Sequence, residues 1–192
     1  NGVSARDRFV YLKLWKRRGV ECTSDKRVRR NIIDALGPLP NVRDRVFPVG
    51  RLDVDSTGLI LLTSDGTIVN RLLRKAEGKS KEYLVTTNER ATEAQIERLR
   101  SGVTITTVAQ RDGVSRPLTA PTRPCIVERA SGKRQLRFVL EEGRNRQIRR
   151  MCEALGLRVE SLHRVAFAGL GLNGCAAPGE WRFLTPSELD IL

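Results

Sequence analysis

Residues 47–66 read Phe47-Pro48-Val49-Gly50-Arg51-Leu52-Asp53-Val54-Asp55-Ser56-Thr57-Gly58-Leu59-Ile60-Leu61-Leu62-Thr63-Ser64-Asp65-Gly66. The apolar run from Leu59 to Leu62 is short and ends in a turn sequence, which predicts a strand buried on both faces. Gly50 and Gly58 free the backbone on either side of Asp53. We therefore expect Asp53 to lie in a loop against the sheet, where side chains often carry chemistry.

The residues alone allow two roles for Asp53. An isolated aspartate is most often solvated or caps a turn. A phosphotransferase nucleophile is the other role, because Asp53-Val54-Asp55-Ser56-Thr57 fits an Asp-x-Asp-x-Thr pattern. That chemistry needs a metal and further acids downstream. After Asp65 the only aspartates are Asp112 and Asp190, so the sequence argues against it.

The composition points to an acidic partner. The formal net charge is +13, and a strongly basic chain favours nucleic acid first. Ribosomal and membrane-surface proteins are also basic, so charge alone leaves the class open. No run approaches transmembrane length, and no membrane association is expected.

The cysteines indicate a reducing compartment. Four are present, none in a Cys-x-x-Cys pair, and His163 is the single histidine, so no metal site is expected. We expect an intracellular location, in the cytoplasm or in the matrix of a mitochondrion or plastid. Because the chain begins Asn1-Gly2, we expect missing residues before it, such as a targeting peptide or an N-terminal RNA-binding module.

Several local patterns predict elements. A strand over residues 9–15 is followed by a basic turn, Lys16-Arg17-Arg18-Gly19, which is either solvated or in contact with RNA. Val28, Ile32, Ile33 and Leu36 recur at helical spacing, with Ser24 or Asp25 as the N-cap. Ala109 to Pro124 contains one glycine and three prolines and is expected to be a long loop, with Arg111 and Arg116 available to RNA.

The remaining patterns complete the fold class. Capping boxes start helices at Thr92 and Thr185. Hairpin-like strands are predicted over 125–129 and 134–140, and Ile148, Met151, Cys152 and Leu155 share one face of a helix. Because strands and helices do not alternate regularly, we predict a mixed α/β fold of the α+β type. Its sheet is bent and largely antiparallel, and helices flank it.

Three segments of the chain stand out as motifs. The first comprises Gly50-Arg51-Leu52-Asp53 with Thr57 to Thr63 and Asp65-Gly66. The second is Lys81-x-Tyr83-x-Val85, and the third is Gly143-Arg144-Asn145-Arg146-Gln147-Ile148-Arg149-Arg150-Met151. Together they resemble the motifs of pseudouridine synthases, in the branch that modifies single uridines in ribosomal RNA. The resemblance runs from about Phe9 to Leu192. Trp15 and Arg17 stand where the family usually has Asn and Pro.

The resemblance implies one catalytic domain over residues 1–192, with two lobes sharing one sheet and a central cleft. The implied reaction breaks the N1–C1′ bond of a uridine in RNA and joins C5 to C1′, with no cofactor and no metal. Asp53 would act as nucleophile or base, Tyr83 would stack on the uracil, and Arg149 would pair with Asp53. A flat ring there would replace the stacking that a flipped base loses.

The resemblance also implies residues that bind the substrate. Leu162 would pack beside the base, while His163, which has no evident partner in the sequence, is expected to be structural or to contact RNA. The partner would be ribosomal RNA or a pre-ribosomal particle. The alternative function is a non-catalytic RNA-binding factor for ribosome assembly with the same fold. The residues expected to contact RNA are Arg51, Lys81, Arg144, Asn145, Arg146, Gln147 and Arg150.

Overall fold

A computed structural model describes residues 9–40, 42, 45–73, 79–111 and 114–192. The chain divides into two compact units. The first unit comprises Asn1–Lys79 and His163–Leu192, and the second comprises Ser80–Leu162. The strands are, in chain order, β1 (Tyr11–Lys16), β2 (Phe47–Pro48), β3 (Thr57–Thr63), β4 (Lys81–Thr87), β5 (Thr104–Arg111), β6 (Val114–Pro121), β7 (Ile126–Arg129), β8 (Gln135–Leu140), β9 (Val159–Phe167), β10 (Leu170–Gly171) and β11 (Trp181–Phe183).

Five helices accompany these strands in the described part of the chain. Thr92 and Thr185 form the predicted capping boxes of the third and fifth helices, each with the expected partner three residues later. Gly37 follows the first helix at a φ of 71°, as its sequence position predicts. The helices are α1 (Ile32–Leu36), α2 (Gly66–Leu73), α3 (Glu93–Ser101), α4 (Gln147–Glu153) and α5 (Pro186–Ile191).

In the first unit, β3 is the central strand. It pairs antiparallel with β1 and parallel with β9, where Thr57 lies opposite His163. Six of its seven residues are buried, which confirms the prediction of a strand covered on both faces. Leu59 and Leu61 pack against Ile68 and Leu72 of α2, so the apolar face of that helix covers one side of the strand.

The C-terminal helix is tied to β1 by a buried cation. Lys13 is fully buried, and its Nζ donates to the Gly171 carbonyl at 2.7 Å and to Glu188 Oε1 at 2.8 Å. Arg182 Nη2 donates to the same carboxylate oxygen at 2.7 Å. Burial alone would raise the pKa of Glu188, but the bonds from Lys13, Thr185 and Arg182 lower it to about 2. This network fixes α5 on the unit.

In the second unit, β4, β8 and β7 lie side by side and antiparallel. Lys81 lies opposite Leu140, and Tyr83 lies opposite Phe138. β5 and β6 form a separate two-stranded ribbon. The pairings in both units confirm the mixed α/β class with a largely antiparallel sheet, whereas the central cleft stays a prediction.

Two local predictions were wrong. The N-cap of α1 is Asn31, because its Oδ1 accepts from the backbone N–H groups of Ile33 and Asp34, both at 2.9 Å. Asp25 instead accepts from the backbone N–H of Arg27 at 3.0 Å in a turn upstream.

The loop predicted from Ala109 to Pro124 is largely a strand, since β6 pairs with β5 along its whole length. Proline is tolerated there because each strand of an isolated ribbon has an open edge that needs no N–H donor. Composition therefore misled the assignment. Arg116 is exposed on this ribbon, and the side chain of Arg111 lies outside the described residues.

Candidate active site

Asp53 lies in a short loop that leads directly into β3, as the flanking glycines predict. The preceding residue, Leu52, is 6% exposed, and its N–H donates to Cys22 Sγ at 3.3 Å. The Ser56 N–H donates to the Asp53 carbonyl at 3.0 Å and closes the turn. The carboxylate is thus carried by a backbone that is fixed on both sides, which is what a positioned reactive group requires.

Lys16 anchors this loop, and the sequence analysis missed it. The side chain is 1% exposed, and Nζ donates to the carbonyls of Ser56 at 2.7 Å, Arg17 at 2.9 Å and Val54 at 3.4 Å. Burial lowers the pKa of Lys16, and the nearby charges of Cys22, Asp55 and Asp53 oppose that effect. A buried ammonium ion therefore holds the backbone beside Asp53.

The prediction that residues 16–19 form a solvated or RNA-contacting basic turn was wrong for Lys16. A signal was present in the sequence, because Lys16 has the same strand parity as the buried Leu12 and Leu14. The rest of the turn also supports the loop, since the Gly19 N–H donates to the Val54 carbonyl at 2.7 Å.

The second aspartate of the motif, Asp65, is structural. Its Oδ1 accepts from the Thr67 N–H at 2.9 Å at the start of α2, and its Oδ2 accepts from the Tyr11 hydroxyl at 2.6 Å. Burial by itself would raise the pKa of Asp65, but these hydrogen bonds outweigh it and the pKa lies below its usual value. Asp65 therefore caps α2 and joins it to β1.

Gly58 lets β9 approach β3 next to the loop. Its φ is 105°, and a Cβ built on it would lie 2.2 Å from the Arg164 carbonyl oxygen. Arg164 is 2% exposed, and its Nε donates to the Leu59 carbonyl at 2.7 Å. Its guanidinium lies 5.2 Å from the centroid of the Phe167 ring. Only a residue without a side chain fits this contact.

His163 does have partners, contrary to the expectation from sequence. Its Nδ1 lies 2.8 Å from Thr57 Oγ1, and its ring centroid is 5.4 Å from that of Trp15. Burial lowers its pKa, so the neutral imidazole is favoured. Strand pairing brings these residues together, which the sequence could not show. The cluster supports a structural role for His163.

In the second unit, pairing of β4 with β8 brings the second and third motifs together. Tyr83 is 9% exposed on β4, and Lys81 Nζ lies 3.9 Å from the Cβ position of Gly143. Leu162, 7% exposed, belongs to the same unit. The positions of Lys81 and Tyr83 are therefore fixed relative to Gly143, the first residue of the third motif.

The predicted helix of the third motif is confirmed as α4, with Ile148, Met151 and Cys152 buried. Arg146 precedes it in the left-handed conformation, at a φ of 51°. Arg149 Nη1 donates to the Val159 carbonyl at 3.2 Å, which places its guanidinium along β9. The buried apolar residues therefore hold α4 in place, and the helix carries arginines of the third motif.

Four of the residues predicted to bind RNA also make contacts inside the unit. Gln147 is 4% exposed and donates to Glu142 Oε1 at 2.6 Å, and the same carboxylate lies 3.3 Å from Arg144 Nε. Arg150 donates to the Thr106 carbonyl and to Asn145 Oδ1. These contacts order the motif, and contact of its residues with RNA stays a prediction.

The predicted site residues are divided between the units. Arg51 and Asp53 lie in the first unit, and the other nine lie in the second. The pairing of Asp53 with Arg149, and the stacking role of Tyr83, stay predictions.

The cysteines are buried or partly buried free thiols. Burial raises the pKa of Cys125 to about 11 and that of Cys152 to about 12, which makes both thiols unreactive at neutral pH. Across the described residues, no group of three or more His, Cys, Asp or Glu side chains is placed to hold a metal ion. Within the same residues, no helix has the length and apolar character to span a membrane.

Comparison with known proteins gives consistent matches. The profile of a family described as RNA pseudouridylate synthase matches residues 10–154. The dual-specificity RNA pseudouridine synthase RluF of Escherichia coli (strain K12) is 40% identical over 181 residues, which are 94% of this chain and 56% of that protein. The ribosomal large subunit pseudouridine synthase B of Bacillus subtilis (strain 168) is 32% identical over 194 residues, covering 100% of this chain and 75% of that protein.

The structural comparison agrees with these matches. A crystal structure of a pseudouridylate synthase superposes with a TM-score of 0.79 at 30% identity, covering 96% of this chain and 74% of that chain. The chain spans little more than half the length of the RluF proteins that it matches.

Proposed function

Because the chain belongs to the RNA pseudouridylate synthase family, we propose that it converts a uridine of ribosomal RNA to pseudouridine. The observation that carries this proposal is the match over residues 10–154, which include Asp53, Tyr83 and Arg149. The anchored loop supports it, because Lys16 fixes the backbone on the C-terminal side of Asp53 at two carbonyls.

The proposed reaction is an isomerisation that needs no external group. The N1–C1′ bond of the uridine breaks, the uracil turns, and C5 bonds to C1′. The hydrogen on C5 leaves and N1 gains one, so atoms and electrons balance without a redox step. Asp53 acts on the sugar or the base, as nucleophile or as base.

The RNA must present its uridine outside the stack. Flipping costs a few kcal/mol, and stacking of the uracil on Tyr83 offsets part of this cost. The net charge of +13 supplies attraction to phosphates, so affinity falls steeply as salt rises. The four free thiols support a reducing intracellular compartment as the site of action.

The test compares the wild type with Asp53→Asn on unmodified ribosomal RNA transcribed in vitro, with pseudouridine mapped chemically. Removing an acid–base group costs about 10²–10⁴-fold, so the variant should form no detectable product while still binding RNA. Glu97→Gln is the matched control, because Glu97 makes an exposed ion pair with Arg100 in α3 and should leave modification unchanged.

Two outcomes would contradict the proposal. If the wild type and the Asp53→Asn variant both bind RNA and neither modifies it, the chain is a non-catalytic RNA-binding factor. Magnesium-dependent phosphate release that needs Asp53 would favour the phosphotransferase instead.

A further inference from the structure

An arginine-rich segment of the first unit belongs to none of the three motifs. Residues 26–30 read Lys26-Arg27-Val28-Arg29-Arg30, and all four cations are exposed. Arg27 is neutralised by Asp25, with Nη2 and Oδ2 2.7 Å apart. Across the described residues, no carboxylate lies within salt-bridge distance of Arg29 or Arg30. Their charge is thus available to a ligand.

The backbone of Arg30 is fixed in an unfavourable conformation. Its φ is 59°, in the left-handed region, which costs a residue with a side chain about 1–2 kcal/mol. The Arg30 carbonyl accepts from the Glu21 N–H at 3.0 Å, and the next residue, Asn31, is fully buried as the cap of α1. The surrounding structure therefore fixes the backbone position from which the Arg30 side chain extends.

The guanidinium of Arg30 lies near the turn that is hydrogen-bonded to the Asp53 loop. Arg30 Nη1 is 4.0 Å from the Cβ position of Gly19. The Gly19 N–H donates to the carbonyl of Val54, which follows Asp53 and is 46% exposed. Gly19 thus lies between the Arg30 guanidinium and the loop that carries the aspartate.

Arg29 and Arg30 also line a cavity of about 480 Å³ together with Asp34. Asp34 Oδ2 accepts from the Asn31 side-chain amide at 2.7 Å, and two arginines face this single carboxylate in the lining. Two guanidinium groups at an open polar cavity suit a phosphate group, because the planar guanidinium donates two parallel hydrogen bonds to its oxygens.

We propose that Arg29 and Arg30 form a phosphate-binding site for the RNA strand that carries the target uridine. The inference rests on the proposed function for the identity of the strand. Contacts of this kind position the backbone and carry no sequence information. They supply binding free energy on the Gly19 side of the Asp53 loop, and this energy offsets the cost of turning the uridine out.

The experiment measures the affinity of the full chain for a short fluorescein-labelled RNA hairpin with uridines in its loop, between about 50 and 200 mM salt. Each phosphate contact contributes about 0.7 to the slope of log K against log salt. The variant Arg29→Gln with Arg30→Gln should therefore lower the slope by about 1.4 and the affinity at 0.1 M salt by about 25-fold.

Two comparison variants make the result specific. Arg27→Gln removes one positive charge from the same segment, at an arginine that Asp25 already pairs, and leaves Arg29 and Arg30 intact, so its slope should match the wild type. Arg29→Lys with Arg30→Lys keeps both charges, so it should retain the slope while losing affinity with the bidentate geometry. Circular dichroism melting confirms that each variant is folded.

The proposal is overturned if the double glutamine variant keeps the wild-type slope, or if Arg27→Gln lowers it equally. Pseudouridine mapping separates this failure from failure of the proposed function. If the wild type modifies RNA and the double glutamine variant binds RNA as the wild type does, the phosphate-binding site is refuted and the proposed activity is not. If the salt slope of the double glutamine variant falls as expected but the wild type modifies no RNA, the phosphate-binding site is supported and the proposed activity is refuted.

Discussion

Lys16→Met tests whether a buried ammonium ion positions the Asp53 loop. Methionine keeps the apolar stem of the side chain and removes the donor. The bonds to the Ser56 carbonyl at 2.7 Å and the Arg17 carbonyl at 2.9 Å are lost, as is the longer one to Val54 at 3.4 Å. The loop then has no charge to hold its carbonyl groups in place.

The magnitude follows from these bonds. A hydrogen bond from a charged group contributes about 1.5–3 kcal/mol, and a buried carbonyl left without a donor costs about 1–3 kcal/mol. Burial of the ammonium group is itself unfavourable, as the lowered pKa of Lys16 shows. Replacing it with methionine removes this desolvation cost and offsets part of the lost stability. We expect a net loss of about 2–4 kcal/mol in the free energy of unfolding. A displacement of about 1 Å at Asp53 would cost about 10²-fold in rate.

Urea unfolding gives the stability change, and single-turnover pseudouridine formation on ribosomal RNA gives the rate. Lys133→Met removes one exposed charge from the second unit and should change stability by less than about 0.5 kcal/mol. The reasoning is refuted if Lys16→Met unfolds within about 0.5 kcal/mol of the wild type and reacts at the same rate.

Gly58→Ala should cost more than about 4 kcal/mol or prevent folding, because the new Cβ would lie 2.2 Å from the Arg164 carbonyl oxygen. Gly37→Ala, where φ is 71°, ψ is −169° and no atom lies within 4 Å, should cost about 1–3 kcal/mol in the same urea unfolding, and equal costs would contradict the packing argument. The Glu188 carboxylate has a pKa of about 2 instead of its usual 4.5. Its stabilisation, up to about 3 kcal/mol, is therefore complete above pH 4.5 and is lost as pH falls toward 2. The difference in unfolding free energy between wild type and Glu188→Gln should shrink between about pH 7 and pH 3, and a pH-independent difference would exclude this role of the Lys13 contact.

Some elements followed directly from local sequence. The apolar run from Leu59 to Leu62 gave β3 its burial on both faces, and the capping boxes at Thr92 and Thr185 began their helices as predicted. These signals are local, since an apolar run or a capping side chain acts within a few residues. The loop position of Asp53 followed in the same way from Gly50 and Gly58.

Other elements depended on partners distant in the chain. β6 forms despite Pro117 and Pro121 because it pairs with β5, and composition does not report pairing. The N-cap of α1 is Asn31, not Ser24 or Asp25 as predicted, because the Asn31 side chain accepts from two backbone N–H groups of the helix. In both cases, a local preference was overridden by contacts made on folding.

By itself, the sequence determined the family, the identity of the three motifs and the buried strand that carries the first. Only the tertiary structure decided what surrounds them. It buried Lys16 under the Asp53 loop, joined His163 to Thr57 and Trp15, and placed Arg30 beside Gly19. The physical reason is that each of these contacts joins residues separated in the chain, and strand pairing with backbone hydrogen bonds brings them within range.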